Sequence, residues 1–362
     1  IAGGDTLLIH AGQYRIGHGA PAGAEKCNTT YPYDCYMPSV PSGPDVAHPT
    51  RILGEGYDTG CANAPQLWGT QRVSRVLSLE RSNNVKMACL EVTDHSACVD
   101  IHALASQKCN RDTYPLGDWA PTGLSAFDSS NVELTDLNIH GLANAGMNAA
   151  RIKDWTLSRV RIAANGWVGW GGDIGSTTSS NSGTIKFSHV TIEWNGCAET
   201  YGPGMTPSPT ACWSQTAGGY GDGLGTAATG GNWVIEDSAF LHNTSDGLDL
   251  LYASGTATVT LNRVWAEGNA GNQIKVGGSA SVTNSVVVGN CGFFDSKPFT
   301  YNVDPCRAYG DALAFSMKSA SNVSSLVNST VVGQGNVVVL GVGPVGAKLK
   351  VQNSILVGKP YY

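Results

Sequence analysis

The sequence predicts an all-β chain wound as a parallel β-helix, and three observations carry that prediction. Forty-six glycines among 362 residues, with abundant Ser, Thr, Asn and Val and no long Leu/Glu/Lys/Arg-rich run, favour short strands and tight turns over helices. A block reading small polar, apolar, x, apolar, x, Asn/Asp/Ser, x, apolar, x, apolar recurs along most of the chain. Its alternation gives each strand one inward face, and the Asn/Asp/Ser position marks a bend between two strands. Where nothing intervenes the copies repeat every roughly 21–26 residues, the range of a β-solenoid.

Taken in order, Gly3-Gly4-Asp5-Thr6-Leu7-Leu8-Ile9-His10-Ala11-Gly12-Gln13-Tyr14 alternates and then turns, as a first strand pair would. From 17 to 66 the pattern dissolves into Pro, Gly, Cys and Tyr, apart from Arg51-Ile52-Leu53-Gly54-Glu55-Gly56, and reads as a disulfide-stapled loop region rather than a second domain. Copies of the block follow at 131–139, 154–162, 183–192, 235–243, 261–269, 281–288 and 350–357. Two long insertions interrupt them. The first, 195–231, carries Cys197, Tyr201, Cys212, Trp213 and Tyr220; the second, 293–310, carries Lys297, Tyr301, Cys306, Arg307 and Tyr309. Both flank the coils richest in acidic residues, as walls of a groove would. We read 1–362 as a single domain, large enough at 41% apolar residues to bury a continuous core.

A net charge of −6, with only 14% of residues charged, offers no basic field for a phosphate backbone and excludes nucleic acid as a natural partner. No run approaches a membrane span, and a monomer is expected. Ten cysteines without a CxxC pair argue against a zinc ribbon and for disulfides, hence for secretion. Chain spacing pairs Cys27 with Cys35, Cys197 with Cys212 and Cys291 with Cys306, and leaves Cys61, Cys89, Cys98 and Cys109 unassigned. The first residue, Ile1, is what removal of a signal peptide or trimming would leave.

The chemistry concentrates in Ser245-Asp246-Gly247-Leu248-Asp249-Leu250 and, 26 residues after Asp249, Lys275. Aligning repeats sets Asp246 over Asn272 and Asp249 over Lys275, so that coil stacking brings an amine and carboxylates within about 4.8 Å steps of one another. The strings Trp170-Gly171-Gly172-Asp173-Ile174-Gly175 and Tyr220-Gly221-Asp222-Gly223-Leu224-Gly225 superpose on this one, with Ile174, Leu224, Leu248 and Ile274 as the common inward residue. On that alignment Asp173, Asp249 and Lys275 point outward, and Asp222 and Asp246 sit near a bend. Asp-Gly pairs also serve simply as turns. Four stacked acids beside a lysine, however, need a counter-charge, and oxygen-only ligands in irregular geometry suit Ca²⁺.

Asn269-Ala270-Gly271-Asn272-Gln273-Ile274-Lys275-Val276-Gly277-Gly278 resembles the "GNGFKLGG" segment of the family 9 polysaccharide lyases, and Ser245 to Asp249 resembles their "DDG-x-D" segment one coil earlier. The resemblance covers 219–278, about a sixth of the chain. It implies a right-handed parallel β-helix of the pectate lyase kind, Ca²⁺ on Asp222, Asp246 and Asp249, and Lys275 as general base; the alignment of repeats adds Asp173 as a fourth candidate ligand. Two departures stand out: Ser245 replaces the first of two adjacent aspartates, and Gln273-Ile274 replaces Gly-Phe.

The activity so implied is β-elimination on an acidic, uronic-acid-containing polysaccharide. The metal would bind the sugar carboxylate, and Lys275 would take the C5 proton. Tyr220, Tyr252, Trp265 and Arg307 are the expected substrate-binding residues; water, Tyr252 and Arg307 are the available donors to the leaving oxygen. Trp167, Trp170 and Trp213 offer further sugar platforms or core filling. His140, His189 and His242 lack metal-ligand spacing and read as structural. Sequons stand at Asn28, Asn243, Asn322 and Asn328. Two other readings compete: an inverting glycoside hydrolase using paired aspartates, and a non-catalytic glycan-binding or adhesive β-helix.

Overall fold

The computed structural model describes residues 1–17, 26–27, 35–36, 38–70, 73–110, 117–172, 181–200, 208–214, 221–306, 312–335 and 337–359. Their strands form a right-handed parallel β-helix of two sheets, one of 20 strands and one of nine. The larger sheet contributes two strands to each coil and therefore two of its three faces. In one such coil, Thr258–Asn262 and Trp265–Glu267 belong to the large sheet and Ile274–Gly277 to the nine-stranded one. The block copies read from the sequence fall on these strand pairs, as in Ser182–Ser188 with Thr191–Glu193 and Lys348–Gln352 with Ile355–Val357.

The bend between the two large-sheet strands is made by one residue per coil in the left-handed region: Cys89, Asp136, Arg159, His189, Asp237, Arg263, Asn284, Asn328 and Asn353, with φ between 46° and 58°. Asn and Asp tolerate that conformation through local hydrogen bonds. Stacking supplies further support where the residue is Arg: Arg159 and Arg263 each form a two-pronged pair with the aspartate directly below, Asp136 and Asp237.

The inward columns are apolar. Trp155, Ile185, Trp233 and Val259 stack along one face, and Met147, Trp170, Leu224, Leu248, Ile274 and Leu313 along the nine-stranded sheet. Trp170 is fully buried, with ring centroids 5.4 Å from Phe187 and 6.0 Å from Trp233. At the two ends the inward columns are open: Leu7 is 38% exposed, Val351 44% and Leu356 46%.

A second internal device is polar. Asn165, Asn195, Asn243 and Asn269, all fully buried, pass hydrogen bonds coil to coil, each Nδ2 donating to the next Oδ1 at 2.8–2.9 Å. Asn269 donates in turn to Gln273 Oε1 at 2.7 Å. Beside this ladder runs a column of glycines, Gly123, Gly146, Gly169, Gly223 and Gly247, where a Cβ would come within 3 Å of the neighbouring carbonyl. Gln273 breaks the column, and its Nε2 bonds the carbonyls of Asn269 and Gly289 at 2.8 and 2.9 Å. The Gln departure noted in the sequence is therefore the cap of the asparagine ladder.

Four disulfides close within the described residues. Cys197–Cys212 and Cys291–Cys306 are as read from spacing, and Cys61–Cys89 and Cys98–Cys109 pair the four left open. The side chains of Cys27 and Cys35 lie outside the described residues. Within 17–66, Thr50–Gly54 is a coil strand, pairing with both Thr6–Ile9 and Asn83–Asp94. No described helix is long and apolar enough to cross a membrane.

Candidate active site

Asp249 and Lys275 occupy the same position in adjacent strands of the nine-stranded sheet, in the register Leu248/Ile274, Asp249/Lys275, Leu250/Val276. Leucine and isoleucine fill the core, so alternation turns the carboxylate and the amine outward on one ledge. Three residues before Asp249 and Lys275 the chain enters the sheet through Asp246 and Asn272, and Asp222 precedes them one coil earlier. Side chain meets backbone in a repeating step: Asp222 Oδ1 accepts the Asp246 N–H at 3.0 Å, and Asp246 Oδ1 accepts the Asn272 N–H at 2.6 Å. Asp249 Oδ1 accepts the Leu251 N–H at 2.9 Å.

The remaining oxygens converge. Lys275 Nζ lies 2.7 Å from Asp246 Oδ2 and 3.3 Å from Asp249 Oδ2, with the lysine side chain only 16% exposed. One oxygen from each of Asp222, Asp246 and Asp249 falls within 4.8 Å of the others. Burial, reinforced by the charges of Asp246 and Asp249, pushes the Asp222 pKa up to about 8. Burial likewise raises Asp249 to about 6 against the pull of Lys275. Lys275 moves the other way overall: burial alone would lower its pKa, but Asp246 and Asp249 outweigh it and hold the ammonium above the ordinary lysine range. As it stands the site carries more acid than one ammonium neutralises, which is the condition a bound cation relieves.

The donor set fits Ca²⁺: three carboxylates and neither imidazole nor thiolate. Gly225, directly beside Asp249 in the ladder, keeps the approach open, because a Cβ there would come within 2.7 Å of Asp222 Oδ2. Ser245, next to Asp246 in the chain, is 1% exposed and bonded through its backbone to Gly221 and Gly271.

The observed register differs from the alignment that makes Asp173 a candidate ligand. Trp170, not Ile174, pairs with Leu224, because the larger indole takes the inward slot and donates its Nε1–H to Ala149 O at 2.9 Å. Gly169 thus stands in the column, beside Gly223, that the sequence alignment gave to Asp173, and Asp173 itself lies outside the described residues. Trp170 is core rather than a sugar platform.

The expected substrate-binding residues divide. Tyr252, 56% exposed, follows the Asp249 strand, with its ring 5.7 Å from Lys318 Nζ. Trp265 is on the large sheet, 48% exposed and bonded to Glu267, and is not brought to the carboxylates. Tyr220 and Arg307 lie outside the described residues. The two insertions do meet: Cys212–Trp213 pairs with Thr300–Asn302, and His102 from the Cys98–Cys109 loop bonds Ala211 O and packs on Trp213 and Tyr301. Thr244, two residues before Asp246, donates to Trp213 O at 3.0 Å and ties this wall to the cluster.

The histidines read as structural are varied. His140 is fully buried between Glu199 and Glu91, at 2.6 and 2.9 Å; burial opposes its charge, but the two glutamates prevail and its pKa rises to about 9. His242 stacks on Phe293, and His189 is an exposed bend residue. Asn243 and Asn322 are buried, whereas Asn328 is exposed. Sequence reading missed the asparagine ladder, although the recurrence of Asn165, Asn195, Asn243 and Asn269 two residues after the second large-sheet strand of each coil was its signal.

No protein-family model and no curated protein matches the chain. Among solved structures it is similar to pectate lyase Pel9A, at 15% identity over 91% of this chain and 72% of that one, TM-score 0.46. It is also similar to an alginate lyase from Paenibacillus sp. str. FPU-7, at 12% identity over 98% and 93%, TM-score 0.41. A surface protein and adhesin of Streptococcus pneumoniae, PfbA, aligns at 9% identity over 96% and 91%, TM-score 0.32. Likenesses this distant include lyases and an adhesin alike, and the functional reading rests on the site itself.

Proposed function

We propose that this chain is a secreted lyase that cleaves an acidic, uronic-acid-containing polysaccharide by β-elimination, with Lys275 as the base and Asp222, Asp246 and Asp249 as the ligands of a calcium ion. The observation that carries the reading is the outward pairing of Asp249 with Lys275, with Asp246 and Asp222 laddered beside them.

A calcium ion there would neutralise the aspartates, releasing their hold on the Lys275 proton, and would bind the sugar carboxylate so that charge developing next to C5 is stabilised. The residues then divide the work. Lys275, anchored on a core strand, presents its amine to the C5 proton and accepts it as the C4–C5 double bond forms and the C4–O bond breaks, the leaving oxygen keeping the bonding pair and taking a proton from water. Backbone N–H groups of Asp246, Asn272 and Leu251 fix the aspartates, so the cluster needs no rearrangement on reaction. The carboxylate spacing disfavours an inverting hydrolase, which needs its two carboxyl groups about 6.5–9.5 Å apart to admit a water; here the oxygens converge within 4.8 Å.

The test is incubation with pectate, alginate, rhamnogalacturonan and glycosaminoglycans, with and without CaCl₂, followed by ultraviolet absorbance of unsaturated uronide ends. Calcium-dependent absorbance on at least one uronate polymer is expected. Cleavage of a neutral glycan, or cleavage without unsaturated ends, would overturn the reading.

A further inference from the structure

The face that carries Lys275 also carries a cation with no carboxylate paired to it among the described residues. Lys318 follows strand Leu313–Ser316, the neighbour of the Lys275 strand in the register Lys275/Ala314 and Gly277/Ser316. Its Nζ donates to Ser316 Oγ at 2.7 Å and sits 5.7 Å from the Tyr252 ring centroid. Among the described residues it makes no ion pair, whereas Lys86, Arg151, Arg159, Lys186 and Arg263 are each matched to an acid on the adjoining coil.

The ammonium is held by its surroundings. The N–H groups of Lys318 and Ser319 both bond Asn322 Oδ1 at 2.9 Å, and Asn322, buried, donates to Gly255 O at 2.8 Å in the loop that follows Tyr252. Between these two loops the Lys275 coil turns tightly at Gly277 and Gly278, Gly278 at φ +70°, and a Cβ on Gly277 would meet the Leu251 carbonyl at 2.6 Å. Tyr252 and Lys318, from the coils before and after, therefore bracket the exit of the Lys275 strand. Strand spacing and rise put Ser316 roughly 8 Å from Lys275 between Cα atoms, close enough for one oligosaccharide to span both.

We infer that Lys318 and Tyr252 form an anion subsite for the carboxylate of a uronate unit adjacent to the one deprotonated at Lys275, and so help set the preference for an acidic polymer. This rests on the elimination reading for its substrate, but the ammonium needs only a carboxylate, and the ring needs only a sugar face. Lys318 would be a specificity-determining residue, leaving the chemistry to Lys275.

The test uses Lys318→Met, which keeps the packing on Tyr252, and Lys318→Arg, which keeps the charge. Turnover is measured on polygalacturonate fragments. Binding of the same fragments and of their methyl-esterified forms is measured with Lys275→Ala protein, with and without Lys318→Met. Lys318→Met should raise KM about tenfold with kcat within about twofold, Lys318→Arg should stay near wild type, and the preference for acidic over esterified fragments should fall. An unchanged preference and KM in Lys318→Met would overturn the subsite. If wild-type protein cleaves no uronate polymer, the elimination reading fails by itself; the binding arm still decides the subsite, which is refuted if acidic fragments bind no better than esterified ones.

Discussion

Replacing Lys275 with alanine should destabilise the metal-free protein as well as silence it. The ammonium is the only cation within bonding distance of Asp246 Oδ2 and Asp249 Oδ2 among the described residues, at 2.7 and 3.3 Å, and all three side chains are at most 16% exposed. Removing one partner of a buried pair leaves charge without compensation and costs about 3–5 kcal/mol. With an unfolding entropy of about 2 cal/mol/K per residue, a 362-residue chain that melts cooperatively should lose about 5 °C in Tm. Melting would be followed at pH 7 in EDTA, at pH 7 in CaCl₂ and at pH 4.5. Calcium should recover most of the loss by supplying the missing charge, and acid should recover part of it by protonating Asp222 and Asp249. A variant that melts with wild type in EDTA, or whose deficit calcium leaves untouched, would refute the placement of the ammonium against the acids.

Three further outcomes follow from the same geometry. In the metal-free protein Asp222 has a folded pKa of about 8, above its unfolded value, so the folded state holds the extra proton. Stability from this group is present at low pH and lost as pH rises towards 8; Tm should fall between pH 5 and 8 in EDTA, and Asp222→Asn should flatten that slope. Gly225→Ala should weaken calcium binding by about tenfold or more in titration calorimetry with little change in apo Tm, since the new Cβ presses on Asp222 Oδ2. Asn243→Ala, which removes the acceptor of the Asn195 N–H and Nδ2 and one of the donors to Asn269 Oδ1, should cost about 3 kcal/mol by denaturant unfolding.

The solenoid was legible because its rules are local: alternation sets the inward column, and an Asn or Asp bend tolerates the left-handed turn. The pairing of Asp249 with Lys275 was legible for the same reason, since no insertion separates those two coils and counting residues equals counting rungs. Where an insertion intervenes, counting fails. Between Trp170 and Leu224 a long insertion intervenes, and the sequence offered two apolar residues, Trp170 and Ile174, for one inward slot, which the buried indole of Trp170 fills. The role of Gln273 was hidden because its partners, Asn269 and Gly289, are set by a ladder running across coils. Lys318 was invisible for a related reason, as its neighbours Ser316 and Tyr252 come from different coils.

The most direct measurement of the central claim compares wild type and Lys275→Ala on a cleaved uronate polymer in saturating CaCl₂, with the chain ends identified by mass spectrometry. The account predicts C4–C5 unsaturated ends from wild type and a loss of about a thousandfold or more in kcat for the variant, whose calcium binding persists. Unsaturated ends released by the variant at the wild-type rate would contradict it.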